Sequence, residues 1–161
     1  MSGQINPSST DDLLPREQML SMSGLAFLVG IQDGTYPLPP IAKTLNFWFH
    51  EIAFGKVALR GAPQFSGFNL LGGTHGGWYA TVLDSSLACA VQSTLPQGSV
   101  YTTLELKLNI IRSIPMGMTV EATSQCQHTG RSTGISSGEI RGVEDGRLYA
   151  TGSTTCFIMT P

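Results

Sequence analysis

Charge is scarce in this sequence: 12% of its 161 residues are charged, against 41% apolar ones. Its 9 cations form no cluster and the net charge is −2, which excludes the phosphate-neutralising surface of a nucleic-acid binder. Cysteine is scarce too. Cys89, Cys126 and Cys156 are odd in number and contain no C-x-x-C pair, so they suit neither a disulfide framework nor a zinc ribbon and point to a reducing, cytoplasmic setting. The three histidines, His50, His75 and His128, are scattered and lack a carboxylate at ligand spacing, so neither a metal nor a cofactor is expected. The longest apolar run near the N-terminus, Leu25 to Ile31, is too short to cross a bilayer. Met1 to Leu14 lacks the cationic start and cleavage pattern of a signal peptide. One cytoplasmic domain with a core of its own, not bound to a membrane, is the expectation. Its low charge suggests that part of its surface is covered in an oligomer.

Glycine, by contrast, is plentiful at 19 residues, and it crowds the stretch Phe68-Asn-Leu-Leu-Gly-Gly-Thr-His-Gly-Gly-Trp-Tyr-Ala-Thr-Val-Leu-Asp84. An apolar run suited to a buried helix follows. Between Arg60 and Glu105 the only formally charged residue is Asp84. A carboxylate there is costly to desolvate unless it is hydrogen-bonded or used. Gly76 and Gly77 are poor helix formers, yet they stand at the predicted helix start. Small residues there let a ligand approach free backbone N–H groups, and the helix dipole favours negative charge at that end. That is the make-up of an oxyanion site. Asp84 lies eight residues beyond Gly76, about 12 Å along a helix axis. One helix cannot bring both groups to one substrate carbon. If they cooperate, the second helix comes from a second copy of the chain, and a two-fold pair makes two equivalent sites.

Taken in order, residues 1–14 are rich in Ser, Thr, Asp and Asn and read as a disordered or loose arm. From Pro15 the apolar spacing predicts one helix through Leu28, ended by Asp33-Gly34, and the prolines at 37–40 predict an extended connector over the rest of 15–44. Leu45–Ile52 and Val57–Arg60 read as a strand pair, and residues 61–74 as a loop into a helix over about His75–Thr94. Four strands follow. Leu104, Leu106, Leu108 and Ile110 alternate with polar residues, as do Val120 to His128; a third strand spans about Arg131–Val143 and a fourth Arg147–Met159. A sheet wrapped around one apolar helix fits this order, an α+β fold with an extra N-terminal helix.

Asn69-x5-His75-Gly76-Gly77-x6-Asp84, with Thr103 to Arg112 and His128-Thr-Gly-Arg131, resembles the hotdog-fold acyl-CoA thioesterases, and within them the phenylacetate-pathway (PaaI-type) branch. The likeness spans about Leu45–Met159, so residues 45–161 are expected as the hotdog domain. The resemblance implies a homodimer, often a homotetramer, with an acyl-CoA thioester as substrate at the dimer interface. It implies that the Gly76 amide polarises the thioester carbonyl with Asn69 assisting, and that Asp84 of the partner subunit acts as base or nucleophile. Thr103 would help hold the water, and His75 would position. Gly77, Arg112 and Arg131 are candidates for binding substrate and the coenzyme A phosphates.

Plainer readings stand beside these. Asp84 also fits a satisfied structural acid, Gly76 and Gly77 close helix–sheet packing, Asn69 a turn, His75 a helix start and Thr103 an ordinary strand residue. Trp78, Tyr79, Phe65 and Phe68 fit either an aromatic acyl pocket or the core. Cys89 reads as a core residue. Two rival functions share the fold: a non-catalytic acyl-CoA-binding module and an acyl-CoA dehydratase or hydratase. The intact His-Gly-Gly-x6-Asp arrangement weighs against the second.

Overall fold

The computed structural model describes residues 3–160. Three short helices come first: α1 (Arg16–Leu20), α2 (Gly24–Gln32) and α3 (Pro40–Leu45). Strands β1 (Phe47–Ala53) and β2 (Lys56–Gly61) precede the long helix α4 (Gly76–Gln92). Strands β3 (Val100–Ile110), β4 (Val120–Thr129), β5 (Thr133–Gly142) and β6 (Leu148–Met159) complete the chain. All six pair antiparallel in the order β1-β2-β4-β5-β6-β3.

The reason for the architecture lies in α4. From Val82 to Gln92, Asp84 and Ser85 alone escape full burial, because the sheet packs on α4 from β2, β3, β4, β5 and β6. Leu83, Leu87 and Val91 meet Val57, Leu59, Ala122, Ile140 and Ala150 in or beside the main core. Each fully buried aliphatic side chain of this kind contributes about 2 kcal/mol of transfer free energy. Close approach needs small residues on the sheet. A Cβ at Gly134 would run into Val91, so that strand position admits nothing larger. Ser86 and Ser136 tie the layers by hydrogen bonds, Ser86 Oγ to Ala122 O (3.1 Å) and Ser136 Oγ to Leu87 O (2.7 Å).

A sheet curled around one helix leaves a gap between its two edge strands, β1 and β3, and the N-terminal segment lies there. α2 packs on β1 and touches the C-terminal part of α4. The contact is tight: a Cβ at Gly24 would collide with the Gln92 carbonyl, while Gly24 N–H donates to Leu95 O (3.0 Å).

Several local expectations change. The helix expected from Pro15 to Leu28 is two helices, because Ser23 breaks it by capping α2, its Oγ accepting from Ala26 N–H at 3.2 Å. The proline connector is extended only to Pro39. Pro40 then starts α3, where the ring's fixed φ is preorganised for a first turn. Of the arm expected over 1–14, residues 1 and 2 lie outside the described stretch. Beyond them Gln4 Nε2 donates to Phe49 O (2.6 Å), Leu38 N–H to Ile5 O (2.7 Å), and Asp12 caps a 3-10 turn at Thr10–Asp12, so this stretch lies along the body. In β3 the expected single face is interrupted by a bulge between Thr103 and Glu105. The extra residue, Leu104, is 62% exposed, and the bulge lets both Thr103 and Leu106 face α4. A register shift between Cys126 and His128 likewise turns His128 outward.

Gly24→Ala is expected to destabilise the protein by about 1–3 kcal/mol, since neither helix backbone can give way cheaply. Denaturant unfolding measures it, and a change within error would show that α2 is not clamped to α4.

Candidate active site

The loop before α4 is built to present the helix start. Asn69 Oδ1 accepts from Leu71 N–H (2.9 Å) and Gly73 N–H (3.1 Å), and Gly72, at φ 76°, makes the left-handed turn between them. Thr74 Oγ1 donates to Ile114 O (2.7 Å), pinning the loop to the segment after β3. His75 then caps the helix: its Nδ1 accepts from Gly77 N–H at 2.9 Å, which places the proton of the neutral ring on Nε2. Trp78 and Tyr79 anchor the first turn, Trp78 Nε1 donating to Leu45 O (2.8 Å) and Tyr79 Oη accepting from Ile114 N–H (2.8 Å).

Three of the first four amides of this helix start are thereby used: His75 N–H bonds the Gly67 carbonyl, Gly77 N–H the His75 ring and Trp78 N–H the His75 carbonyl. Gly76 N–H has no acceptor among the described residues, and Gly76 lines an open groove together with Phe65, Phe68, Leu71 and His75. A Cβ at Gly76 would meet only Ile110 Cδ1, at 3.4 Å. Packing within the chain therefore does not explain a glycine at this position.

Asp84 lies two turns further on, half-buried, on the side of α4 that faces β3. Thr103 Oγ1 donates to its Oδ1 at 3.0 Å, and no other described group donates to it. The contrast with the structural acids is clear. Asp12 accepts from Ser8 N–H, Ser8 Oγ and Ser9 N–H, and Asp145 from Arg147 N–H and Tyr149 Oη. Asp84 has no loop amide and no cation.

The structure thus brings Asp84 and Thr103 together, and separately Asn69, His75, Gly76 and Gly77. It keeps the two groups apart along one helix. Arg112 Nη1 donates to Leu148 O (2.6 Å) just past the end of β3, whereas Arg131 lies in the turn beside the C-terminal end of β6, next to the start of β3. With β3 running 11 residues, these two cations are about 30 Å apart. Trp78 and Tyr79 belong to the core at 2% and 1% exposure, so neither lines an acyl pocket, while Phe65 is 81% exposed. His50 lies 3.6 Å from Glu121 on the outer sheet, away from the site. Among the described residues no cluster of His, Cys, Asp or Glu is placed to hold a metal, and no helix is long and apolar enough to cross a membrane. What the sequence reading missed is Tyr101. It shares the inward face of β3 with Thr103 because the bulge after Thr103 shifts the alternation, which counted from Leu104 places both outside.

Comparison with known proteins agrees with the fold and with the family resemblance. Residues 71–149 match the thioesterase superfamily. A phenylacetic acid degradation-related protein from Ralstonia eutropha is 26% identical, with a TM-score of 0.74 over 81% of this chain and 98% of its own. The PaaI protein of the Escherichia coli phenylacetic acid degradation operon is 21% identical, with a TM-score of 0.69 over 75% of this chain and 85% of its own. A Streptococcus pneumoniae protein solved with coenzyme A is 24% identical, with a TM-score of 0.65 over 71% of this chain and 87% of its own. No curated protein matches.

His75→Ala is expected to lower stability by about 1 kcal/mol through loss of the cap, and His75→Asn to recover most of it, both read by denaturant unfolding. A second prediction concerns alkaline pH. Burial pushes the Cys89 thiol up to about 12, with the Asp84 charge adding to it, and burial pushes Cys156 up to about 11. Both lie above the ordinary thiol value of 9.0, so their contribution is fully present below that pH and is lost as pH climbs through 11 and 12. Wild type should lose stability above about pH 9, and Cys89→Ala should lose less over the same range. Equal slopes would show that the thiol titrates as it does in the unfolded chain.

Proposed function

We propose that this chain, whose residues 71–149 match the thioesterase superfamily and whose curled sheet has the hotdog fold, hydrolyses an acyl-CoA thioester at a site shared by two copies. The observation that carries the reading is a pair of unused groups on one helix: an unpartnered Gly76 N–H at its positive end, and Asp84 held by a single hydrogen bond. In water-excluded surroundings a fixed N–H donor at a helix start stabilises a developing oxyanion. A carboxylate with one oxygen held by Thr103 has the other free to take a proton from water.

Distance requires the second copy. About 12 Å separates the two groups on α4, so the Gly76 of one subunit works with Asp84 of the partner subunit. Two features support such pairing. β3 is an edge strand of 11 residues with no neighbour on one side, a template for a second strand. Around the Gly76 groove, Leu70, Leu71, Ile110 and Ile111 are exposed at 106%, 96%, 49% and 45%, an apolar patch suited to burial against another chain. Antiparallel pairing of two β3 strands also brings Arg112 of one subunit towards the end where Arg131 of the partner subunit lies. Both cations then become candidates for the coenzyme A phosphates of one site.

In the reaction, the thioester carbonyl oxygen accepts from Gly76 N–H. Water, held by Asp84 and Thr103, gives a proton to the Asp84 carboxylate as its oxygen bonds the carbonyl carbon. The tetrahedral oxyanion collapses, the C–S bond breaks, and the thiolate takes that proton to leave as free coenzyme A.

Free-thiol release from a panel of acyl-CoAs tests this. Asp84→Asn should cut kcat by about 10²–10⁴-fold in a folded dimer. Gly76→Pro is a sharper probe. His75 is already extended (φ −66°, ψ 142°) and Gly76 is the first helical residue, so proline fits and removes only the N–H. It should cost about 10²–10³-fold, whereas Gly76→Ala retains the donor. Mixing the Asp84→Asn and Gly76→Pro proteins should restore about a quarter of wild-type activity, because half the exchanged dimers are mixed and each holds one intact site. No recovery on proven exchange would mean that the site lies within one chain.

A further inference from the structure

One cavity belongs to no residue so far given a role. About 410 Å³ in volume, it lies in the gap between the edge strands β1 and β3, over the C-terminal half of α4. Cys89, Val100 and Tyr101 form its floor, and Met19, Phe27 and Leu38 are among the side chains of its roof. The lining is almost wholly apolar, and the roof comes from the N-terminal segment, outside the residues that match the superfamily.

Its position relates it to the reacting groups. Tyr101 and Thr103 project from the same face of β3, one strand repeat or about 7 Å apart, and Thr103 bonds Asp84. On α4, Cys89 follows Asp84 by five residues, about 7.5 Å along the axis. Floor and carboxylate are near enough that the Asp84 charge acts on the Cys89 thiol. The floor therefore begins about 7 Å beyond the Asp84–Thr103 pair on both elements and runs away from it, under α1 and α2.

We propose that this cavity receives the acyl group of the substrate and that the N-terminal segment sets the acyl size. The proposal rests on the thioesterase reading for the identity of the ligand, and on the cavity for its chemistry: an unbranched or aryl acyl group without charge. At roughly 30 Å³ for each methylene-sized group, the volume admits on the order of ten carbon atoms. The roof is rigid enough to discriminate. α2 is clamped at Gly24 against Gln92, Gly98 N–H donates to Leu20 O (3.0 Å), and a Cβ at Gly30 would run into the ring of Tyr36. Met19, Phe27 and Leu38 thus act as specificity residues without touching the reacting atoms.

The test compares kcat/KM for acetyl-, decanoyl-, tetradecanoyl- and phenylacetyl-CoA in wild type, Met19→Trp and Phe27→Ala. Met19 and Phe27 are only partly buried, so both variants are expected to fold, and unfolding midpoints are matched first. Met19→Trp fills the roof and should lower decanoyl-CoA turnover about tenfold or more, leaving acetyl-CoA within about twofold. Phe27→Ala should move the preference to chains longer than decanoyl. Parallel changes for acetyl- and decanoyl-CoA in both variants, or none, overturn the proposal. Calorimetric binding of decanoyl-CoA and coenzyme A to the full chain separates the two readings. Where wild type releases no thiol, yet binds decanoyl-CoA more tightly than coenzyme A and Met19→Trp abolishes the difference, hydrolysis is wrong and the acyl pocket stands. With normal thiol release but no chain-length effect of Met19→Trp on binding or turnover, the pocket assignment fails and the thioesterase reading survives.

Discussion

A straight helix holds its first amide and a carboxylate eight residues later about 12 Å apart, and nothing in the rest of the fold can shorten that. This separation governs how α4 is used. Its start must stay open to solvent or to another chain, so the loop over 68–75 uses its own polar atoms to hold itself in place and leaves Gly76 N–H alone. Its middle is half-buried at Asp84, where Thr103 supplies a polar partner from β3. A helix wholly wrapped by its own sheet would allow neither.

Wrapping is incomplete for a geometric reason. Six strands curl around α4 far enough to bury Leu83 and Leu87 completely, but the sheet ends at β1 and β3 without closing. An open curl leaves two liabilities: an unpaired strand edge at β3, and apolar helix surface in the gap. The chain answers them differently. The gap is roofed by its own residues 3–40, while β3 keeps a free edge beside exposed Leu104, Ile110 and Ile111. That difference underlies the proposal of a second copy on one side and a small apolar ligand on the other.

Much of this was legible in the sequence because the relevant signals are local. Period-two alternation gave the four late strands, and a charge-free apolar run containing one carboxylate gave α4 and Asp84. The fold was readable for the same reason, since one buried helix among antiparallel strands has few arrangements. What escaped were features decided by contacts across the chain. The β3 bulge that turns Leu104 outward depends on where Thr103 must meet Asp84, and alternation alone assigns Leu104 to the inner face. The break between α1 and α2 depends on Gly24 lying against Gln92, 68 positions away. Trp78 looked as suitable for a pocket as for a core because its one hydrogen bond, to the Leu45 carbonyl, is invisible in sequence. Within the candidate site, Asn69, His75, Gly76 and Asp84 were readable as a motif. Their division into two groups followed from helix pitch, and Tyr101 was overlooked because alternation counted across the bulge places it on the outer face.

The arrangement separates two tasks along one helix. In the proposed reaction the chemistry sits on the part of the chain that matches the superfamily: an amide at the start of α4, a carboxylate two turns on, and a threonine on the strand beside it. Selection falls to a segment that reaches neither group. Because that segment is fastened at α4's far end by glycine contacts and backbone hydrogen bonds, its apolar side chains can change in size without moving Asp84. A large-to-small change on a partly buried roof costs less stability than one in the core around Leu83 or Leu87, where a cavity forms between packed layers. Variation in acyl size is therefore physically cheaper in the roof than anywhere else that touches the cavity. Variation at Cys89 or Tyr101 would disturb the helix–strand contact that holds Asp84 against Thr103.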